Sequence, residues 1–106
     1  MFIFLDTETT GTEKEDRLCQ LAYKTEKGEI ANKLFRPPLP IKIDSMCVHH
    51  ITNEMVADKS TFKGSLDFQK LVGLLSDDTN ILVAHNAKFD VDMLEKLFER
   101  LFAVAI

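Results

Sequence analysis

The N-terminal stretch of the chain constrains the fold most. An apolar run from Phe2 to Leu5 leads directly into Asp6 and Glu8, before the chain turns at Gly11. Consecutive large apolar residues rich in Phe and Ile predict a buried strand. Because strand side chains alternate between faces, Asp6 and Glu8 share one face, about 7 Å apart. Such a pair either shares a bound cation, which offsets the repulsion, or stands in a solvated turn where the strand has ended.

Composition narrows the class of protein. A chain of 106 residues predicts one domain. A net charge of −4 excludes a general nucleic-acid coat but not an acidic site that reaches a polyanion through cations. No apolar run approaches the roughly 20 residues of a membrane helix, and the N-terminus lacks a secretory pattern, so we expect a cytoplasmic protein with no membrane contact. Cys19 and Cys47 lack metal-ligand spacing, and we expect buried or partly buried free thiols.

The hydrophobic pattern predicts a mixed sheet. Alternation over Leu18–Thr25 and Ile30–Phe35, with a turn at Gly28 between them, predicts an antiparallel meander of three strands with the first strand. The prolines between Pro37 and Pro40 end the third strand. The wholly apolar run Ile81–Ala84 predicts a parallel strand buried on both faces.

Helices are predicted where a capping residue precedes apolar residues at helical spacing. They cover Asn53–Ala57 after Thr52, the stretch from Ser65 through Leu75, and about Ala87 to Leu101 after Asn86. Asp90 lies on the apolar stripe of the last helix, four residues before Leu94. A carboxylate in that position either reaches solvent at the helix end or meets a cation, whereas Asp92 on another face is expected to be solvated.

The three carboxylates together predict a site for divalent metal ions. Asp6, Glu8 and Asp90 converging on one point would bind hard divalent cations such as Mg²⁺ or Mn²⁺ through oxygen. Two such ions about 3.5–4 Å apart hold the attacking and leaving oxygens of a phosphodiester displacement.

Three segments resemble a known family. Asp6–Gly11 is similar to the first motif of the DEDD-type 3′–5′ exonucleases, the group that contains the proofreading epsilon subunit of bacterial DNA polymerase III. Val83–Asp90 is similar to the second motif, and Pro40–Phe62, with Val48–Val56 inside it, resembles the linking segment. The resemblance implies an α/β, ribonuclease H-like fold in one domain over residues 1–106, incomplete at the C-terminus.

The resemblance also implies roles for individual residues. It makes Asp6, Glu8 and Asp90 the catalytic ligands of two metal ions, with Asp6 touching both. It assigns the 3′-terminal nucleotide to the backbone around Thr9 and Thr10, with His49, Asn86 and Phe89 lining the same pocket.

Each substrate residue also has a structural alternative. Thr9 and Thr10 are ordinary turn residues, His49 pairs with His50 in a loop, Asn86 caps a helix, and Phe89 is typical of a core. His85 is assigned no chemistry. The family commonly has Gly where His50 stands, which puts the backbone of that loop in question.

The third motif of the family is missing from the sequence. That motif supplies a fourth carboxylate and a His or Tyr that acts as general base, and residues 101–106 contain no Asp, His or Tyr. We therefore expect impaired turnover. A truncated reading frame, a piece of a longer protein and a natural short form are all compatible with this. In the last case the apolar C-terminal face would support self-association.

Three functional hypotheses follow. The first is a 3′–5′ exonuclease that releases nucleoside monophosphates from single-stranded DNA or RNA 3′ ends, in association with a DNA polymerase. The second is an inactive nucleotide- or polymerase-binding module derived from that family. The third is a small acidic protein whose carboxylates are merely solvated.

Overall fold

The computed structural model describes residues 1–86 and 88–94. Strands and helices follow one another as β1 (Phe2–Thr9), β2 (Leu18–Thr25), β3 (Ile30–Leu34), α1 (Ile43–His49), α2 (Asn53–Val56), α3 (Leu66–Ser76) and β4 (Ile81–Val83). Residues 88–94 are helical and are called α4. The rest of the predicted last helix and the apolar tail lie outside the described residues.

The strands form one mixed sheet in the order β3-β2-β1-β4. β1 pairs antiparallel with β2, and β2 pairs antiparallel with β3. β4 lies parallel to β1, with Phe2 opposite Ile81 and Phe4 opposite Val83. The predicted antiparallel meander with one added parallel strand is therefore confirmed, and with it the α/β class.

The main core cluster lies on one face of this sheet, and a second cluster is formed by Cys19, Ile41, Ile51 and Val56. Ile3 and Leu5 of β1 pack in one cluster with Leu71 of α3 and Leu94 of α4. Helix α3 begins as predicted, because the Ser65 Oγ accepts a hydrogen bond from the Phe68 N–H at 3.1 Å. Short α2 likewise begins after Thr52, whose side chain accepts from Met55 N–H. Both helices thus start at the residues that the capping pattern predicts.

The opposite face of β1 and β4 is open in the described part of the chain. Phe2, Phe4, Ile81 and Val83 are 45%, 47%, 55% and 38% exposed. The prediction that the fourth strand is buried on both faces is wrong. In the described core cluster, residues of α3 and α4 pack against Ile3 and Leu5. Side chains alternate along a strand, so Ile3 and Leu5 lie on the face opposite to Phe2 and Phe4.

Helix α1 was not predicted. It has no side-chain cap at Lys42 and no buried residue, so neither a capping signal nor an apolar stripe marks it. At its end His50 adopts φ 61° and ψ 17°, and its N–H donates to the Met46 carbonyl. This is the left-handed conformation that glycine favours at a helix C-terminus. The backbone therefore follows the path that a glycine would take there, despite the His50 side chain.

Both cysteines are free; Cys19 is buried, as predicted, but Cys47 is exposed, which corrects the expectation for that residue. Burial, with Glu8 nearby, raises the pKa of the Cys19 thiol to about 12. Among the described residues, no helix has the length and apolar character needed to cross a membrane.

Candidate functional site

Strand β1 places Asp6 and Glu8 on the open face of the sheet. Their Cα partners on β2 are Ala22 and Gln20, and the pairing becomes irregular between Glu8 and Thr9, where the strand ends. Partial burial raises the pKa of Glu8; Asp6 and Asp90 also raise it, while His49 lowers it. The charges of both other predicted ligands, Asp6 and Asp90, therefore act on Glu8.

Asp90 reaches this region from the first turn of α4. It is 4% exposed, and its Oδ1 accepts a hydrogen bond from the Thr7 hydroxyl at 2.6 Å. Asp90 thus neither reaches solvent nor stands alone. Thr7 is a site residue that the motif reasoning missed. Strand alternation turns its hydroxyl toward the core, where a buried polar group needs a partner.

The donor set suits a hard cation, because carboxylate oxygens are the ligands that Mg²⁺ and Mn²⁺ prefer. The raised pKa of Glu8 reflects in part a like-charge repulsion that a cation would relieve. Within residues 1–86 and 88–94, however, no three His, Cys, Asp or Glu side chains are placed to hold an ion together.

A cavity of about 380 Å³ opens beside Glu8. Glu8 and Thr9 of β1 and Phe89 of α4 line it, and so does one face of α1, through Asp44, Ser45, Val48 and His49. The volume lies within the range of small-molecule sites. Phe89 is half-buried rather than a core residue. The cavity therefore joins several of the residues that the resemblance assigned to the substrate.

His49 connects α1 to the end of β1. Its Nδ1 accepts a hydrogen bond from the Ile51 N–H at 3.0 Å, and its Nε2 lies 2.9 Å from the Thr9 carbonyl oxygen. Since Nδ1 accepts, the partners assign the proton to Nε2, which donates to Thr9. His49 is therefore more than one of a pair of loop histidines. It fastens the helix to one wall of the cavity.

Thr10 and Asn86 lie outside the cavity lining. Thr10 is fully buried, its N–H donates to the Arg17 carbonyl, and its carbonyl accepts from Lys42 N–H, each at 2.9 Å. Asn86 is exposed, and its carbonyl accepts from the Asp90 N–H at 3.1 Å, so it begins the helix. Both residues therefore stabilise the local backbone conformation: Thr10 at the end of β1, and Asn86 at the start of α4.

Comparison with known proteins identifies the family of the chain. The family model described as Exonuclease (RNase T) matches residues 3–106. The chain belongs to the exonuclease family. The predicted resemblance is thereby confirmed.

Two similar proteins are DNA polymerase III proteins by name. The chain is 37% identical over 99 residues to the DNA polymerase III subunit epsilon of Treponema pallidum, covering 88% of the chain and 44% of that protein. It is 33% identical over 106 residues to the PolC-type DNA polymerase III of Staphylococcus aureus, covering 94% of the chain and 7% of that protein. The chain thus spans less than half the length of these relatives.

Solved structures show the same fold. Exonuclease X in complex with 5′ overhanging duplex DNA superimposes with a TM-score of 0.62 at 28% identity, covering 88% of this chain and 53% of that one. A product-bound exonuclease I gives a TM-score of 0.78 at 22% identity, covering 95% and 25%. The ribonuclease H-like architecture predicted from the motifs is confirmed.

An ion pair between buried Asp16 and partly exposed Lys42 lies beside the cavity. Asp16 is fully buried; its Oδ2 accepts from Lys42 Nζ at 2.7 Å and from the Glu13 N–H at 2.8 Å. Its Oδ1 accepts from the Thr10 hydroxyl at 2.8 Å. Desolvation raises the pKa of Asp16, but the hydrogen bonds from Lys42, Thr10 and Glu13 outweigh it and lower the pKa. Asp16 lies in a loop rich in charged residues, and nothing in the sequence pattern indicates that it is buried.

The Asp16→Asn variant is expected to flatten the acid dependence of stability. Because the folded pKa of Asp16 is lowered, its carboxylate stabilises the fold fully above about pH 4. That contribution is lost as pH falls through the folded pKa. Asp16→Asn should cost about 1.5–3 kcal/mol at neutral pH, because it weakens charge-assisted hydrogen bonds to a buried carboxylate, and much less in acid. Thermal unfolding followed by circular dichroism from about pH 2 to 7 measures this. Exposed Asp58→Asn is the control, and parallel curves for wild type and Asp16→Asn would contradict the expectation.

Proposed function

We propose that the chain forms the metal and nucleotide platform of a 3′–5′ exonuclease, which releases nucleoside monophosphates from single-stranded 3′ ends. The main support is the cavity that joins Glu8, Thr9, His49 and Phe89, together with the nearby charges of Asp6 and Asp90, which raise the pKa of Glu8. The names of the relatives, a DNA polymerase III epsilon subunit and a PolC-type polymerase, favour a DNA end and a polymerase partner.

Asp6, Glu8 and Asp90 would hold Mg²⁺ or Mn²⁺, two ions in the complete site. When bound, such ions supply positive charge to the reacting phosphodiester and lower the pKa of water. Thr7 holds Asp90 at the end of β1 through the hydroxyl contact of 2.6 Å. Because the chain has a net charge of −4, a nucleic-acid end would depend on these cations for its approach.

The 3′-terminal nucleotide would occupy the cavity. Phe89 offers an apolar surface, and the Thr9 backbone and His49 form a polar wall at a fixed separation. We assign Thr10 an indirect role, through the backbone that it holds. Exposed Asn86 would contact the strand outside the cavity.

We propose that turnover by this chain is slow. Residues 91–106 contain no His or Tyr to activate water. A missing general base typically lowers the rate by about 10²–10⁴-fold.

A non-catalytic nucleotide-binding module is the second candidate. It is favoured by the observation that, among the described side chains, no three potential ligands form a group able to hold an ion. In that case the cavity would bind a nucleotide without cleaving a phosphodiester bond.

Digestion of a 5′-labelled single-stranded oligonucleotide by the 106-residue chain in Mn²⁺ tests the proposal. The expected product is a ladder that shortens from the 3′ end, abolished by EDTA and by a blocked 3′ end. Matched DNA and RNA substrates compare the two classes of nucleic acid. Internal cuts would refute the exonuclease proposal. Binding of dTMP without any cleavage would favour the second candidate.

A further inference from the structure

We propose that Lys42 and Asp16 are positioning residues for the nucleotide cavity. They hold the backbone of Thr9–Gly11, one wall of the cavity, against helix α1, and they thereby set nucleotide affinity without touching the metal ligands. This inference rests on the proposed function, because it concerns the same cavity.

Lys42 makes hydrogen bonds through its N–H, its carbonyl and its Nζ, and each reaches a different part of the site. Its N–H donates to the Thr10 carbonyl at 2.9 Å, and its own carbonyl accepts from the Met46 N–H at 3.0 Å, in the first turn of α1. Its Nζ donates to Asp16 Oδ2 at 2.7 Å and to Glu15 Oε1 at 3.3 Å. One residue thus joins the β1–β2 loop to the helix on the other side of the cavity, and Lys42 is itself part of the cavity lining.

The ion pair packs directly beneath Gly11. A Cβ atom built on Gly11 would lie 2.3 Å from Asp16 Oδ2 and 2.8 Å from Lys42 Cδ. The backbone of Gly11 lines the cavity on its other side, and its carbonyl accepts from the Thr9 hydroxyl at 2.7 Å. A shift of the pair would therefore move the cavity wall directly, with no intervening side chain to absorb it.

The predicted metal ligands are held by other contacts. Asp6 and Glu8 pair with Ala22 and Gln20 of β2, before the irregularity that follows Glu8, and Asp90 is held by Thr7. Loss of the Asp16–Lys42 pair should therefore change nucleotide binding more than metal binding. A purely structural role would weaken both together.

Calorimetric titrations of the full chain with MnCl₂ alone and with dTMP in saturating Mn²⁺ separate these effects. Lys42→Met is expected to weaken dTMP binding about tenfold and to leave Mn²⁺ affinity unchanged, since a displaced wall no longer matches the nucleotide. Lys42→Arg keeps the charge and donors, so its dTMP affinity should stay within about threefold of wild type. Exposed Lys63→Met, outside the cavity, is the matched control and should bind like wild type.

A double variant, Asp16→Asn with Lys42→Met, removes both charges and guards against a single variant that fails to fold with an unpaired buried carboxylate. It should fold and still bind dTMP about tenfold more weakly. Equal dTMP affinity in Lys42→Met and wild type, or equal losses for dTMP and Mn²⁺, would overturn the inference. Wild type that binds Mn²⁺ but not dTMP would instead overturn the proposed nucleotide site, and the inference with it.

Discussion

The Gly11→Ala variant is expected to lose about 3 kcal/mol of stability or more. The added methyl group would lie 2.3 Å from Asp16 Oδ2 and 2.7 Å from its Cγ, far closer than atoms approach in proteins. Asp16 has no room to move away, because it is fully buried and bonded to Lys42 at 2.7 Å and to the Glu13 N–H at 2.8 Å. The clash must therefore break hydrogen bonds to a buried charge, which is among the largest single-residue penalties.

The same substitution at Gly73 is a matched control. Gly73 is exposed within α3, and no atom lies within 4 Å of a Cβ built there. Gly73→Ala should stabilise the protein by about 1 kcal/mol, because alanine favours the helix. Thermal unfolding should show Gly11→Ala more than about 10 °C below wild type and Gly73→Ala about 4–8 °C above it. A Gly11→Ala melting temperature near that of wild type would mean that Asp16 and Lys42 are not packed beneath Gly11.

Asp6→Asn is expected to abolish the response of the protein to Mn²⁺. Saturating Mn²⁺, at about one hundred times its Kd, should stabilise wild type by about 2.7 kcal/mol. The variant should show little of this gain, because Asp6 is one of three proposed ligands. Any exonuclease activity should fall by about 10³-fold, the rate equivalent of about 4 kcal/mol of lost charge stabilisation.

The metal-free comparison sharpens this test. In EDTA, Asp6→Asn should melt at or above the wild-type temperature, since Asp6 is one of the charges that raise the pKa of Glu8. Asp92→Asn, also an acidic residue but exposed on α4, should keep the full Mn²⁺ response. Retention of that response by Asp6→Asn would refute its role as a ligand.

The elements that sequence predicts well are those with local physical causes. Alternation and Gly28 define the β-meander, and Thr52 and Ser65 cap α2 and α3 as predicted. Helix α1 was not predicted, because it has neither a side-chain cap nor a buried face. The apolar run of β4 predicted a strand correctly but not its exposure, since an apolar pattern does not reveal which faces are covered.

The site shows the same division. The sequence by itself determined that Asp6 and Glu8 share a face of β1, because side-chain alternation is a property of the strand. Three contacts were decided only by the tertiary structure. Asp90 accepts a hydrogen bond from the Thr7 hydroxyl, and His49 is hydrogen-bonded to the Thr9 carbonyl. Asp16 is the buried partner of an ion pair with Lys42. These contacts join residues far apart in the chain, and their burial depends on which elements pack together. The N-terminal strand therefore predicted the chemistry, whereas the packing of loop, helix and sheet around it decided the shape of the cavity.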